Sequence, residues 1–550
     1  MISKQRVDYY LIALVGLFLT VIAFKWNHLN TPYFWDEAWV YAPAVQTMDK
    51  TGLSLLPSGL PTDLSRGHPL LFHFLATLWV KIFGTDFISV HSFALFISLV
   101  LLLAVYSFAS YFFSPIVGFA SALLLAVQPV FLAQSSLLLP EIMLALWTIL
   151  AFYAYLRNKK IAFVVLSVLM LMTKESGLVF LVALLCWELV DLILQYIKSG
   201  STKVSYMKFL LPVIPIAIAS LFFIIQKVQF GWFFYPTHIN EIKFSFTEIF
   251  DKIMSFSYFV FERQGRYLLI FMVLVCHLFY FKLMTFFEKI ILFSGYAFLS
   301  ISFITGNFFA NSIALAVIFT LLIIIVFRKN YLDFDRNYQS LKIISIIIIF
   351  VSGYFLFSAL NVFFMRYLFI VFPFVIIACV YLLYSSLENI KWIFLLVIVI
   401  SSIFCIRAVN YDEVARDYSL SYLNSVHVQK KMIDYLVENK FQHSNIFANW
   451  LTVQYLIIPY SGYIDDDEIF PHADFTVTND MEYCIFTNVE MNVNYDSLIM
   501  YMRLEPIITF QENSTWIDLY KFNGFDKDTT ALGPEELSVR NARRLKYREL

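Results

Sequence analysis

The chain has 550 residues, of which 60% are hydrophobic, 19% aromatic and only 14% charged, and its mean hydropathy is +0.73. A soluble protein of this length needs far more polar surface, so the composition excludes that class and favours a protein with many membrane-spanning helices. The net charge of −1 gives no support to nucleic-acid binding or to a polybasic surface. The five cysteines form no CxxC pattern, which argues against a metal site or a disulfide framework built on them.

Apolar segments long enough to cross a hydrocarbon core recur from the N terminus to residue 406. A helix needs roughly 20 residues to cross the hydrocarbon core, and by this length the segments predict about thirteen spans. These lie at 8–25, 87–112, 116–136, 140–156, 160–173, 176–196, 209–229, 267–281, 289–305, 312–327, 342–359, 367–384 and 391–406. If the N terminus is cytoplasmic, Lys and Arg collect in every second connection, as the positive-inside rule requires. We interpret the first segment as an uncleaved helix, because no small-residue cleavage pattern follows it.

The predicted fold is an α-helical polytopic membrane protein with a small C-terminal extracytoplasmic α/β domain. We expect a transmembrane catalytic domain at 1–406, with a long first outer loop at 26–86, an outer domain at 407–525 and a charged tail at 526–550. An odd number of spans places the two termini on opposite sides of the membrane. In the outer domain the pattern predicts a helix at 428–440, strands at 445–450, 474–479 and 483–488, and a hairpin around Glu512–Ser514.

The unusual polar residues of the membrane domain all fall on the predicted outer side. Asp36 and Glu37 stand among aromatic residues in TPYFWDEAWVYAP, and Arg66 and His68 follow them in DLSRGHPLLFHF. The remaining candidates are Glu141, Lys174, Glu175, Arg263, Arg266, Arg366 and Tyr367. Ionisable groups are costly in or beside a bilayer, so their collection at one face predicts a functional site there.

These residue types suit sugar transfer from a lipid-linked phosphate. A carboxylate can act as general base for an acceptor hydroxyl, while Arg, Lys and His can bind a phosphate. In a one-step inverting displacement at the anomeric carbon, the phosphate leaves as an anion and needs cations more than a general acid.

The order of these motifs resembles the GT-C superfamily of integral-membrane glycosyltransferases. The particular resemblance is to the branch of protein O-mannosyltransferases and lipid A aminoarabinose transferases. It is carried by the Asp-Glu pair in a long first outer loop, the GHP segment, the Pro-acidic start of the fourth span, the Thr-Lys joint and the Arg-Tyr pair before a late span. This resemblance implies inverting transfer of a hexose or pentose from a polyprenyl-phosphate donor to a hydroxyl on a glycan, lipid or protein.

The same resemblance implies roles for individual residues. Asp36 matches the catalytic base, Glu37 its neighbour in the motif, and Glu141 the second acidic position. Arg66 and His68 match the segment near the donor phosphate, although the lipid A enzymes have a Glu-Lys-Pro-Pro-like run there. That departure leaves the phosphate ligand and the acceptor class open. Some relatives bind a divalent cation, for which the sequence assigns no ligands. The expected location is a bacterial inner membrane.

Structural interpretations of the same residues stay open at this stage. Glu37 could be the base instead of Asp36, and an acidic residue such as Glu141 suits a helix N terminus on dipole grounds alone. Lys174 and Glu175 could simply form an ion pair. Arg366 could reach lipid headgroups, and the remaining candidates, Arg263 and Arg266, could only mark a membrane boundary.

Two other functions compete with glycosyl transfer. One is a lipid flippase or a transporter of a lipid-linked or small anionic substrate, although the charges gather at one interface and the halves show no repeat. The other is a polymerase or ligase of surface glycans that uses pyrophosphate-linked donors. Those chains generally place their largest catalytic loop late, whereas here the long outer loop comes first.

Overall fold

The computed structural model describes residues 9–199, 206–240, 242, 245–276, 281–304, 314, 317–318, 321, 325, 334–361, 364–409, 414–490 and 502–525. Within these ranges the protein is mostly helical and carries one five-stranded sheet near its C-terminal end. The predicted charged tail at 526–550 lies outside the described residues.

The helices are numbered here in chain order. They are α1 (Tyr9–Lys25), α2 (Ala42–Thr51), α3 (Thr62–Ser65), α4 (Leu71–Phe83), α5 (Phe87–Phe112), α6 (Pro115–Ala126), α7 (Pro129–Gln134), α8 (Glu141–Leu156), α9 (Lys160–Thr173), α10 (Leu178–Ser199), α11 (Tyr206–Phe230), α12 (Pro236–Asn240), α13 (Phe246–Ser257), α14 (Arg266–Val275), α15 (Phe286–Ile304), α16 (Phe334–Ala359), α17 (Phe372–Leu387), α18 (Lys391–Arg407), α19 (Tyr422–Glu438) and α20 (Trp450–Ile457).

Six helical segments in the described part are long and apolar enough to cross a membrane, judged by length and composition. They are Tyr9–His28, Phe87–Phe112, Glu175–Ile193, Met207–Phe230, Tyr338–Ala359 and Met365–Leu387. A helical membrane protein with a small C-terminal sheet is therefore confirmed. The count of thirteen spans is not confirmed and stays a prediction; the candidate at 312–327 lies largely outside the described residues.

One predicted span is interrupted in the structure. The segment 116–136 forms α6 and α7, with an extended Gln128 between them (ψ 130°). Pro129 explains the break, because a residue that precedes proline is sterically biased away from the α conformation. The predicted outer loop 26–86 differs from the prediction because it is partly helical. It contains α2, α3 and the apolar α4, which are too short to be recognised by the length that a membrane-spanning helix needs.

The core is built around α8. Nearly all of its residues are buried, as expected for a helix that is apolar on every face. Aromatic rings pack its neighbours together, with Phe152 5.2 Å from Phe108 on α5 and 6.0 Å from Phe374 on α17 between ring centroids. Because α8 begins at Glu141, this packing carries a carboxylate into the interior of the protein.

The C-terminal sheet has the strand order β2-β1-β3-β5-β4. Its strands are β1 (Ile446–Ala448), β2 (Ala473–Asp474), β3 (Tyr483–Thr487), β4 (Met502–Glu512) and β5 (Thr515–Phe525). β1 pairs in parallel with β2 and β3, whereas β5 pairs antiparallel with β3 and β4. The predicted helix, the hairpin and two of the three strands are confirmed. The strand predicted at 474–479 was wrong beyond its first residue, since β2 ends at Asp474.

An ionic cluster with buried carboxylates joins the helices α8, α10, α11 and α16. Glu188 on α10 accepts a hydrogen bond from Tyr155 at the end of α8. Lys208 on α11 lies 3.6 Å from Glu188 and 3.2 Å from Asp191, and Lys342 on α16 lies 4.0 Å from Glu188. Two carboxylates thus face two ammonium groups, which offsets the cost of burying them.

We predict that Glu188→Ala destabilises the protein by about 3 kcal/mol, because one partner of a buried ion pair is left uncompensated. The midpoint of thermal unfolding of the detergent-purified protein would measure the loss. Glu388→Gln is the control, since the side chain of Glu388 is exposed. Equal midpoints for both variants and the wild type would show that the cluster does not stabilise the helices.

Candidate active site

Arg366 is the centre of a buried ionic cluster. It is fully buried (0% exposed) in the helical turn Met365–Val371, directly before α17. Its guanidinium donates hydrogen bonds to the carboxylates of Asp36 and Asp417, and its Nε lies 3.8 Å from Glu141 Oε1. A buried guanidinium without partners is strongly destabilising, so the fold requires that Arg366 keep carboxylate partners.

The carboxylates come from three distant segments of the chain. Asp36 precedes the π-helical turn Glu37–Tyr41, Glu141 is the first residue of α8, and Asp417 lies in the segment that precedes α19. Glu141 sits at a helix N terminus, where a negative charge is favoured, and it also contacts Arg366 and Lys174; its role as the second functional acid stays a prediction.

Lys174 adds a second cation to the cluster. Its Nζ lies 3.0 Å from Glu141 Oε1 and 3.6 Å above the ring of Tyr367. The cluster thus contains the three carboxylates already described and two cations, Arg366 and Lys174. If all five groups are ionised, one negative charge is in excess, which suits a site that must accept a proton.

A cavity of about 730 Å³ opens beside this cluster. Six of the residues predicted from the sequence line it: Asp36, Arg66, His68, Lys174, Glu175 and Tyr367. The other predicted residues, Glu37, Glu141, Arg263, Arg266 and Arg366, are not among its lining residues. The volume lies within the range of small-molecule sites, and the wall mixes apolar and aromatic surface with a few polar groups.

The GHP segment adopts a backbone conformation that requires glycine at position 67. Arg66 ends α3 in the left-handed region (φ +48°), and its guanidinium lies 3.8 Å from the ring centroid of Trp39. Gly67 also has a positive φ (+72°), and a Cβ at this position would lie 2.8 Å from the Trp232 ring. A larger residue would therefore displace the cationic wall of the cavity.

His68 is held by an acidic partner. Its Nδ1 lies 2.9 Å from Glu175 Oε2, and its ring centroid is 5.4 Å from that of His238. Burial, together with the nearby charge of His68, lowers the pKa of His238 to about 4, so His238 is uncharged at neutral pH. Among the described residues, no group of three or more His, Cys, Asp or Glu side chains is arranged to hold a metal ion.

Glu37 points away from the cavity and has structural partners. Its carboxylate accepts hydrogen bonds from the backbone N–H groups of Phe34, at 3.1 Å, and Leu138, and it lies 3.3 Å from His91 Nε2. The structure therefore separates the two adjacent acids of the sequence. Asp36 faces the cavity, whereas Glu37 ties the first loop to the segment before α8.

Arg263 and Arg266 also lie away from the cavity. Arg266 is buried and donates to the carbonyl oxygens of Phe259 and Val260, and its Nη1 lies 3.0 Å from Gln128 Oε1. It thus holds the π-helical turn before α14. Arg263 donates to Tyr418 Oη at 3.2 Å. These contacts give both arginines structural partners, and substrate binding by either stays a prediction.

The C-terminal segment contributes to the site, which sequence reasoning missed. Besides Asp417, Tyr455 on α20 accepts a hydrogen bond from the backbone N–H of Trp35 at 3.2 Å. Trp450 packs edge-on against Trp39 at 4.5 Å between centroids. The one signal available was the position of Asp417 shortly after the last predicted span, on the same predicted side as the other candidates.

The fold and the site together define a polytopic helical membrane protein in which a buried carboxylate–arginine–lysine cluster borders a cavity. Residues 67–219 match the family model described as dolichyl-phosphate-mannose-protein mannosyltransferase. The resemblance to GT-C glycosyltransferases indicated by the motifs is confirmed over this segment, which contains His68, Glu141 and Lys174. No curated protein sequence matches the chain.

Several solved structures match over most of this chain. ArnT from Cupriavidus metallidurans bound to undecaprenyl phosphate is 11% identical, with 94% of this chain and 98% of that chain covered and a TM-score of 0.46. The Archaeoglobus fulgidus oligosaccharyltransferase in the apo form is 13% identical, with 96% and 76% covered and a TM-score of 0.48. AglB from the same organism, in complex with an inhibitory peptide and a dolichol-phosphate, is 11% identical, with 96% and 75% covered and a TM-score of 0.45. Scores this low carry no argument about chemistry, which therefore rests on the site itself.

We predict that Glu37→Gln lowers the stability by about 2 kcal/mol, because a charged acceptor of two buried backbone N–H groups is lost. Asp36→Asn should cost much less, since Arg366 keeps two other carboxylates and the excess negative charge disappears. Thermal unfolding of the two purified variants would test the difference. A larger loss for Asp36→Asn than for Glu37→Gln would contradict this division of roles.

Proposed function

We propose that the protein is an inverting glycosyltransferase that moves a hexose or pentose from a polyprenyl-phosphate donor to an acceptor hydroxyl. The observation that carries this proposal is a single cavity whose wall holds a buried carboxylate, Asp36, together with the cations of Lys174 and Arg66. Proton acceptance and phosphate binding can therefore take place within one cavity. The family match over residues 67–219 supports the same reaction class.

Asp36 is the proposed general base. It takes the proton of the acceptor hydroxyl as that oxygen attacks C1 of the sugar, with inversion at C1. The bond between C1 and the phosphate oxygen breaks, and its electron pair leaves with the lipid phosphate, so no general acid is needed. Asp36 approaches its partner Arg366 from the cavity side, because Asp36 lines the cavity and Arg366 does not.

The role assigned to Arg366 is to orient Asp36. As one of the cationic candidates in the sequence, it could bind a phosphate or reach lipid headgroups. In the structure it is enclosed by Asp36 and Asp417 and has no place in the cavity wall. It fixes the position of the Asp36 carboxylate through their hydrogen bond, and Asp417 in turn fixes the guanidinium from its other side.

Lys174, Arg66 and His68 are the proposed phosphate contacts. Lys174 carries three N–H donors, of which Glu141 accepts one, so donors remain for a phosphate oxygen. The guanidinium of Arg66 lies 3.8 Å from the ring centroid of Trp39, and this contact holds it at the cavity wall. Developing negative charge on the leaving phosphate would meet these groups without any large rearrangement.

The proposed setting is the extracytoplasmic face of a bacterial inner membrane, with the N terminus in the cytoplasm. The alternation of basic connections along the chain supports this orientation. The C-terminal sheet region, which contacts the first loop through Trp35 and Trp39, would then lie outside the membrane. The acceptor is a hydroxyl on a glycan, a lipid or a protein.

We predict that Asp36→Asn lowers the transfer rate at least about 100-fold, the usual contribution of a general base. Purified enzyme would be incubated with a panel of undecaprenyl-phosphate sugars and native membrane extract, and sugar transfer followed. Asp63→Asn is the matched control, because Asp63 is also a carboxylate of the cavity wall but is exposed.

The outcomes of that experiment separate the competing functions. Transfer by the wild type and by Asp63→Asn, with loss in Asp36→Asn, is the expected result. Full activity of Asp36→Asn would remove its assignment as the base. Binding of the lipid without consumption of any donor would favour a flippase or transporter.

We predict that Lys174→Met weakens the binding of undecaprenyl monophosphate about tenfold or more, because a charge-assisted hydrogen bond to phosphate is lost. Titration in detergent would measure the dissociation constant. Lys81→Met provides the control, since Lys81 is exposed and paired with Asp49. Equal effects of the two substitutions would place the phosphate elsewhere.

A further inference from the structure

His68 and Glu175 form an ion pair of which both partners line the cavity. The Nδ1 atom of His68 lies 2.9 Å from Glu175 Oε2, and the two side chains are 23% and 31% exposed. A ligand in the cavity can therefore reach this pair, in contrast to the fully buried Arg366. The structure thus sets a carboxylate directly beside a proposed phosphate contact, where its charge alone would repel an anionic donor.

The short joint between α9 and α10 positions two of the cations at the cavity. Lys174 has an extended backbone (φ −160°, ψ 133°), and Glu175 begins the tight turn Glu175–Gly177. The Lys174 ammonium lies 3.0 Å from Glu141 Oε1, whereas the Glu175 carboxylate contacts His68. Consecutive residues therefore fix one phosphate contact directly and another through an ion pair.

The contact with Glu175 decides what the other ring nitrogen of His68 can do. A carboxylate only accepts hydrogen bonds, so Nδ1 carries the proton that is shared with Glu175. In a neutral ring, Nε2 then presents a lone pair, which repels the oxygen atoms of a phosphodiester. In the imidazolium, Nε2–H is a charge-assisted donor to such an oxygen. His68 can therefore bind the donor phosphate only in its charged form.

Two further histidines line the cavity, and both are uncharged at neutral pH. Burial, together with the nearby charge of His68, lowers the pKa of His73 to about 3 and that of His238 to about 4. The other ionisable side chains of the wall, apart from tyrosines, are Asp36, Asp63, Arg66, Lys174 and Glu175. Carboxylates, lysine and arginine ordinarily keep one charge state between about pH 6 and 9. His68 is therefore the group of the wall that is suited to gain or lose a proton in this range.

We propose that His68 and Glu175 form a proton-dependent clamp for the donor phosphate, in which Glu175 is the positioning residue and bound donor holds one proton on His68. This inference rests on the proposed glycosyl transfer, because the phosphate is that of the same donor. The proton comes from the solvent when the donor binds and is released when the lipid phosphate leaves. A carboxylate beside the phosphate is thus useful, because it acts on the anion through the cation that it stabilises.

The sugar-bearing donor is the suitable probe for this clamp. Its phosphodiester keeps a single negative charge across the pH range of the experiment, whereas a monophosphate titrates near pH 6, about where histidine does. The dissociation constant of the tightest-binding lipid from a panel of undecaprenyl-phosphate hexoses and pentoses is measured with the full-length protein in detergent, between about pH 5.5 and 9. For the wild type we expect the highest affinity at the acid end. With rising pH, affinity should fall by up to about tenfold per pH unit, because binding then requires the uptake of one proton.

Three variants separate charge from position. Glu175→Gln keeps an oxygen that accepts from Nδ1 and removes the charge, so its affinity should begin to fall at least about one pH unit below the wild type, with no loss at the acid end. His68→Gln should bind the donor more weakly and without dependence on pH. His238→Phe is the matched control, since it keeps a ring against His68 at the cavity wall and should reproduce the wild-type profile.

The outcomes distinguish this inference from the proposed function. A purely structural pair would make Glu175→Gln unfold at a lower temperature and bind more weakly by the same factor at every pH. That result, an unshifted profile in Glu175→Gln, or a wild-type affinity that is constant or rises with pH would overturn the clamp, while transfer that depends on Asp36 continued. If the wild type binds no sugar-bearing lipid at any pH, the proposed function itself is lost.

Discussion

The burial of Arg366 is the constraint on which the rest of the site depends. A guanidinium that is removed from water needs anionic partners, and none of its partners is close in sequence. Asp36 lies 330 residues before it and Asp417 lies 51 residues after it. The first loop, the late turn before α17 and the segment before α19 are therefore tied to one another by a single charged side chain, and the cavity wall is formed where they meet.

Apolar packing decides where this charge is placed. The helix α8 is buried on nearly every face, so its position is set by aromatic neighbours on α5 and α17 and not by its only acidic residue, Glu141. Once α8 is fixed, Glu141 lies between Arg366 and Lys174 and links the two cations. The hydrophobic packing of α8 thus positions the polar cluster. A shift of α8 would move both cations relative to Asp36.

The sequence predicted those site residues whose chemistry is conspicuous in an apolar setting. Asp36, Arg66, His68 and Lys174 are ionisable groups beside apolar runs, and all four line the cavity. It could not distinguish Asp36 from Glu37, because the difference arises only from tertiary contacts of Glu37 with Leu138 and His91. Asp417 was missed because an acid in a region of ordinary composition carries no local signal. The helices of the first loop were also not predicted, because they are too short to span a bilayer.

The place of Asp417 in the chain has a consequence for biogenesis. A protein is synthesised from its N terminus, so the last carboxylate that Arg366 contacts is made only after the six described segments that are long and apolar enough to cross a membrane. Until then the guanidinium has an incomplete set of partners. The cluster is therefore completed late, and a chain that is released early would leave the ribosome without one of the three carboxylates that surround Arg366.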